Sequence, residues 1–338
     1  MIPSLLQERE AVEALLASRG EKPFRLRQIE EWVWRKGVMD TGRMATVPVD
    51  LRGCFRVAST RVDLKLTSQD GTLKRRITLH DGALVESVAI PINGQWTICV
   101  SSQTGCAMAC SFCATGKIRK FRQLRGHEIV EQALWHWEDT REQPERIVFM
   151  GMGEPLANRQ GVGEALDLFT QNMGMSGRRI TVSTVGLMEG IQWLASREHP
   201  VNLALSLHSA LDETRALLVP TLKTPVEELV ESARTYRDTT GRDVTLEMVL
   251  LKGLNDDRRH AQALARVAGE GLFVNLIPYN PGGAGEFQAP AAAAVRDFCR
   301  VLEEAGVAHS VRSPRGQDIN AACGELIPMP AKEGEPVA

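Results

Sequence analysis

Arg146-Ile147-Val148-Phe149-Met150-Gly151-Met152-Gly153-Glu154-Pro155 is an apolar run that passes directly into a glycine-rich turn. Four apolar residues in succession after Arg146 read as a strand buried on both faces. Glycines at 151 and 153 let backbone groups approach a ligand closely, and Glu154 can accept hydrogen bonds from an ammonium group. The same order recurs on either side. Further strands are expected at 179–183, 201–206, 244–250 and 272–278, with a short last one at 309–312. Amphipathic helical stretches fall at 127–139, 161–172, 187–196, 225–239, 257–269 and 291–305. Such alternation builds a parallel sheet with helices on its outer side. About six units of this kind fit a partial or full α/β barrel, whose functional groups belong at the C-terminal ends of its strands.

The preceding chain has a different character. Residues 1–57 read as a helical module: Val12, Leu15 and Leu16 have helical spacing, Gly20 ends that helix, and Pro23 opens a second that carries Phe24, Ile29 and Val33. Over 58–101 the pattern turns to period two, with Asp70-Gly71, Asp81-Gly82 and Asn93-Gly94 as tight turns between short antiparallel strands. The core then runs over 102–327, and 328–338 is a Pro- and Glu-rich tail.

The 338 residues are 43% hydrophobic and 24% charged, as in ordinary globular proteins. No apolar stretch approaches the ~18 residues of a membrane span. The first ten residues turn acidic too early for a signal peptide, so the cytosol is the expected location and no membrane partner is expected. Forty basic against 42 acidic residues give a net charge of −2, which excludes a globally basic nucleic-acid binder but not a local basic patch. Seven cysteines, an odd number with three inside eight residues, argue against a disulfide framework and for metal or catalytic roles.

Those three lie in Gly105-Cys106-Ala107-Met108-Ala109-Cys110-Ser111-Phe112-Cys113-Ala114-Thr115-Gly116, a C-x3-C-x2-C loop. Three thiolates so close can wrap one metal centre, and the spacing differs from the paired C-x2-C knuckles of common zinc sites. On a four-iron cluster they would leave one iron open to bind and reduce a substrate. A structural zinc site with Cys99 as fourth ligand, or three buried free thiols, are the plainer readings.

The loop resembles the signature of the radical S-adenosylmethionine superfamily. Over about residues 20–327 the chain is further similar to the RNA adenine methyltransferases of the RlmN and Cfr family, closest to the RlmN type. The resemblance implies a partial (β/α)6 barrel with an N-terminal helical accessory domain and a small antiparallel β extension. It implies one [4Fe-4S] cluster held by Cys106, Cys110 and Cys113, and S-adenosylmethionine, used twice per turnover, on the open iron. The matching cofactor positions are Gly153 and Glu154, Ser183, the run Ser206-Leu207-His208, and Asn280, each just past a strand. Taken alone, His208 would be a core histidine.

Cys99 and Cys323, taken alone, would be inert buried thiols, and Glu86 an outward-facing residue of an apolar strand. The family match gives them roles. Cys323 takes a methyl group from one S-adenosylmethionine. A 5′-deoxyadenosyl radical from a second then activates that S-methyl, whose carbon adds to the electrophilic adenine ring. Glu86 removes the ring proton, and Cys99 attacks the Cys323 sulfur to release the RNA through a transient disulfide. Cys54 and Cys299 match nothing and read as structural.

Lys117-Ile118-Arg119-Lys120-Phe121-Arg122-Gln123-Leu124-Arg125 carries five basic residues in nine and suits an RNA backbone. Lys74-Arg75-Arg76, Arg178-Arg179, Arg312 and Arg315 are candidate extensions of that surface. The implied partners are 23S rRNA and tRNA, an electron donor such as flavodoxin or ferredoxin, and no second subunit. The competing expectations are a Cfr-type enzyme acting at adenine C8 and conferring antibiotic resistance, and a zinc-stapled, non-catalytic RNA-binding protein.

Overall fold

The computed structural model describes residues 2–118, 120–269, 271–280 and 287–328. Arg119 of the basic run and residues 329–338 of the expected tail lie outside the described residues.

The chain begins with α1 (Arg9–Ser18), α2 (Phe24–Lys36) and the short α3 (Val49–Arg52). Val12 and Leu16 of α1 and Leu26, Ile29, Val33 and Trp34 of α2 are buried, one apolar stripe per helix. Gly37 closes α2 in the left-handed conformation, and a side chain there would strike the Trp137 ring at 2.4 Å.

Four strands follow: β1 (Arg61–Thr67), β2 (Leu73–Thr78), β3 (Leu84–Ile92) and β4 (Gln95–Cys99), paired antiparallel in sequence. β4 then pairs parallel with β5 (Arg146–Phe149) on its other side. Parallel pairing continues through β6 (Ile180–Thr184), β7 (Asn202–Ser206), β8 (Val244–Leu250), β9 (Phe273–Pro278) and β10 (His309–Val311). All ten strands form one sheet in sequence order, open between β1 and β10.

The crossovers are α4 (Gly126–Thr140), α5 (Arg159–Asp167), α6 (Met188–Ala195), α7 (Asp212–Leu218) with α8 (Val226–Thr240), α9 (Arg258–Ala268) and α10 (Ala292–Glu304). Six β/α units therefore run from β4 to α10, and β10 adds a last strand. The first barrel strand is Gln95–Cys99, which the sequence pattern groups with the hairpins. It serves both, antiparallel on one edge and parallel on the other. The pattern offers no helix over Asp212–Leu218, because two turns are too short to display a period.

One continuous core joins the N-terminal helices, the hairpins and the barrel. Lys74, Arg75 and Arg76 do not extend an RNA surface. They are 6%, 5% and 5% exposed. Lys74 pairs with Glu86 at 2.9 Å, Arg75 with Asp139 at 2.7 Å and Arg76 with Asp63 at 3.0 Å. Their partners lie across the sheet or on α4, out of reach of a local reading.

Candidate active site

The C-terminal ends of the parallel strands surround one cavity. Its lining includes Cys106, Cys110, Cys113, Gly153, Glu154, Ser183, Ser206, His208, Glu247, Asn280 and Cys323. The structure thus brings together residues spread over more than two hundred positions. Glu86, Cys99 and Leu207 do not line it.

The cysteine loop leaves β4 and is braced from two sides. Ser111 N donates to Leu218 O of α7 at 3.0 Å. Ala114 N donates to Gly324 O at 2.8 Å, and Thr115 Oγ1 to Leu326 O at 2.7 Å, so the C-terminal segment forms part of the loop's support. The three thiols are half-buried. Burial first, and then the charges of Glu154 and Cys113, raise Cys106 to about 12 against the pull of the Met108 backbone. Cys110 is raised by burial and then by Cys113 and Cys106. Bound metal cations reverse that balance and hold coordinating thiols deprotonated. Among the described residues no three His, Cys, Asp or Glu side chains are set to hold a single metal ion. A cubane cluster asks for a different arrangement, one thiolate on each of three irons, and three soft donors facing one cavity fit it.

Glu154 follows β5 and is 3% exposed. Its Oε2 accepts from Val185 N at 2.9 Å and its Oε1 from Leu156 N at 3.0 Å. Burial raises its pKa to about 7 against the pull of these donors. Gly153 sits at φ +105, with a virtual side chain 2.6 Å from Gln103 Cβ. Any other residue would be strained there and would displace the chain that carries the cysteine loop.

Ser183 Oγ and Ser206 Oγ are 3.1 Å apart at the ends of β6 and β7. His208 has φ +59, and Phe112 of the cysteine loop meets its ring edge-on at 4.7 Å. Val249 N donates to His208 Nδ1 at 3.3 Å, which leaves the ring proton on Nε2. Burial pulls this histidine down to about 3, so it is neutral. Leu207 is fully buried in the core. Asn280 Nδ2 donates to Cys323 O at 3.4 Å, and its Oδ1 accepts from Gln317 Nε2 at 2.9 Å.

Cys323 returns to the cavity because residues 316–320 are tied to the β1–β2 hairpin. Gly316 N donates to Asp70 Oδ2 at 3.0 Å, Ser68 Oγ to Asp318 Oδ1 at 2.5 Å, and Lys74 Nζ to Asn320 O at 2.9 Å. Cys99 is buried on β4, and burial first, then the charge of Cys323, raises its pKa to about 12. Both thiols are free, as are the other five cysteines. Glu86 on β3 is 3% exposed and raised by burial, although Lys74 and Ile327 N, at 3.1 Å, favour its charge.

Glu247 on β8 was not singled out by the sequence, although it is an acid inside an apolar strand, as Glu86 is. Thr245 Oγ1 and Asn275 Nδ2 donate to its Oε1 at 2.9 and 2.8 Å. Arg312 Nη2 lies 3.5 Å from the same atom. Its Oε2 is buried at the cavity wall without a partner among the described residues.

A (β/α)6 sheet with a three-cysteine loop after its first strand and a Gly-Glu turn after its second defines a barrel enzyme built around a cluster. The profile of the Radical SAM superfamily matches residues 100–264, and that of the ribosomal RNA large subunit methyltransferase N-terminal domain matches residues 5–56. A Synechococcus protein named "Probable dual-specificity RNA methyltransferase RlmN" is 41% identical over 96% of this chain and 95% of its own. A Synechocystis protein of the same name is 41% identical over 91% of this chain and 89% of its own. The crystal structure of a radical SAM methyltransferase from Sphaerobacter thermophilus superposes with a TM-score of 0.87 at 36% identity, covering 96% of this chain and 99% of that one. The chain belongs to the RlmN family of radical S-adenosylmethionine RNA methyltransferases, whose superfamily uses a [4Fe-4S] cluster and S-adenosylmethionine.

Proposed function

We propose that this enzyme methylates C2 of one adenine in 23S rRNA near the peptidyl-transferase centre and C2 of the adenine next to the anticodon in tRNA, with Cys323 as the methyl carrier. The observation that carries the reading is that Cys323, 210 residues after Cys113 in the chain, opens into the same cavity as the three loop cysteines. The printed name of the relatives, a dual-specificity RNA methyltransferase, supports the choice of two RNA substrates.

The cluster and its bound S-adenosylmethionine supply the electron transfer and the radical. Cys106, Cys110 and Cys113 hold that cluster. Glu154 and the backbone around Gly153 orient the methionine amino group, while Ser183, Ser206, His208 and Asn280 line the space for the remainder. Cys323 loses its thiol proton as it accepts a methyl group, becoming a thioether. After its carbon has joined the adenine ring, Glu86 accepts the ring proton. Cys99, as a thiolate, then attacks the Cys323 sulfur: the disulfide forms as the bond from that sulfur to the transferred carbon breaks, and the carbon keeps the bonding pair and takes up a proton to become the methyl group of the freed base. Ile327, whose N–H rests on Glu86, belongs to the segment that carries Cys323, so proton acceptor and methyl carrier are coupled through that segment. The same reading takes a flavodoxin or ferredoxin as electron donor, a monomer as the working form and the cytoplasm as its place.

Anaerobic cluster reconstitution followed by mass spectrometry of 23S rRNA and tRNA fragments tests it. The expected product is 2-methyladenosine in both RNAs. An 8-methyladenosine product would make the enzyme Cfr-type, and a zinc-bound, iron-free protein without product would remove the radical chemistry.

A further inference from the structure

Beneath the cysteine loop lies a charge that none of the steps above uses. Arg215 on α7 is 2% exposed. Among the described residues its guanidinium meets only main-chain carbonyls: Nη1 donates to Ser206 O at 3.1 Å and to Leu207 O, and Nη2 to Val185 O at 2.5 Å. Its Nε has no partner among the described residues. The acidic groups that act on it are Cys110 first and Asp212 second. Asp212 is exposed, and its carboxylate already accepts from Val226 N at 2.8 Å. A buried guanidinium with no carboxylate beside it is costly, and breaking a buried ion pair leaves the same uncompensated charge. Here burial drags the group down to about 10.

The surroundings indicate what compensates it. α7 is the element on which the cysteine loop rests: Leu218 O at its end takes the N–H of Ser111, and just beyond it Thr221 Oγ1 donates to Met108 O at 2.9 Å. Cys110, Cys113, Phe112 and Leu218 share one apolar cluster. Arg215 holds the carbonyl of Ser206, which lines the same cavity as Cys110, so three thiolates and an iron–sulfur core on this loop would bring anionic charge to the side of Arg215 where Cys110 already acts on it, in a low-dielectric setting where screening is weak.

Resting on the assignment of Cys106, Cys110 and Cys113 as cluster ligands, we propose that Arg215 is the buried counter-charge of the cluster and sets its reduction potential. Arg215 is a positioning residue that touches neither substrate nor reacting atoms. A fixed positive charge favours the state carrying one more electron, so it raises the potential and eases one-electron reduction by the external donor. Arg215 itself is unchanged by the step.

Arg215→Lys and Arg215→Gln both lose the guanidinium fork over the three carbonyls, and only the first keeps the charge. The full chain, reconstituted anaerobically, is titrated with dithionite and followed by electron paramagnetic resonance. Iron content and thermal unfolding of the cluster-free proteins are measured alongside. The expected result is a midpoint shifted to more negative potential in Arg215→Gln and near wild type in Arg215→Lys, with similar stability of the two cluster-free variants. Loading of Arg215→Lys but not of a folded Arg215→Gln would support the same conclusion. Equal midpoints in the two variants would overturn it. So would failure of cluster-free Arg215→Gln alone, or of both cluster-free variants, to fold, since Arg215 would then serve the apoprotein. Wild-type protein that takes up no cluster would sink the ligand assignment itself.

Discussion

Burial decides what each acid and base at this site can do. Glu86 is held between an ion pair with Lys74 and the N–H of Ile327, and burial still raises its pKa. A carboxylate so placed suits proton abstraction once the segment above it moves. Glu86→Ala is therefore expected to accumulate a covalent RNA–protein adduct, seen as a retarded band on a denaturing gel, with iron content unchanged. Free product at the wild-type rate would remove Glu86 from the mechanism. His136 on α4 shows the same physics without catalysis. It is fully buried beside Ser87 Oγ at 3.0 Å, and burial lowers its pKa from 6.5 to about 3. The unfolded chain binds that proton more readily, so its stabilising contribution is complete above pH 6.5 and is lost as pH falls toward about 3. Urea midpoints of His136→Gln should fall less steeply than wild type from pH 6.5 downward; parallel curves would contradict this.

At the scale of elements, close approach of helices fastens the chain on either side of the cysteine loop. α4 and α5 meet across Gly126 and Gly161, where side chains would lie 2.4 Å from Glu164 Cβ and 2.0 Å from Leu124 O. Leu124 O also accepts from Asn158 Nδ2 at 2.7 Å, and Asn158 Nδ2 donates to Ser102 O at 2.8 Å, fastening the start of α5 to the chain after β4. Backbone cannot yield as a flexible side chain can. Gly161→Ala is expected to cost about 1–3 kcal/mol by overpacking, read as a lower thermal midpoint, and to slow cluster uptake. α7 is the contrasting case. It is short, supplies no cavity residue, and yet carries the loop through Leu218 and the charge at Arg215.

Across the whole molecule, a net charge of −2 leaves RNA binding to local groups. The basic run after the cysteine loop divides in the structure. Arg122 is committed to Asp81 at 2.6 Å and Glu128 at 2.8 Å, whereas Lys117, Lys120 and Arg125 are exposed. Replacing Lys117 and Lys120 together with Ala should weaken RNA binding and reduce the slope of log affinity against log salt by about 1.4, at about 0.7 per single-strand phosphate contact. Filter binding over a salt series measures it; an unchanged slope would place the phosphates elsewhere. No helix among the described residues is long and apolar enough to cross a membrane.

The cysteine loop, the Gly-Glu turn and the strand–helix alternation were legible in the sequence because each is local. Three thiols within eight residues stay together in any fold, and burial on both faces writes itself as an apolar run. The sequence groups the first barrel strand with the hairpins, as its antiparallel edge bears out, but not also with the barrel, because pairing on its second edge involves β5, almost fifty residues later. Lys74, Arg75 and Arg76 read as surface because their partners are distant in sequence, and Glu247 reads as a strand residue because only the fold brings its Oε2, unpartnered among the described residues, to the cavity wall. The tertiary structure alone decided that Cys323 shares a cavity with the loop cysteines and that Arg215 is buried on the helix that supports their loop, held by main-chain carbonyls. The sequence by itself determined the donor set and the order of the barrel, since these depend on neighbours along the chain. Burial and charge compensation are sums over groups that only folding brings together, so they could be read only from the folded chain.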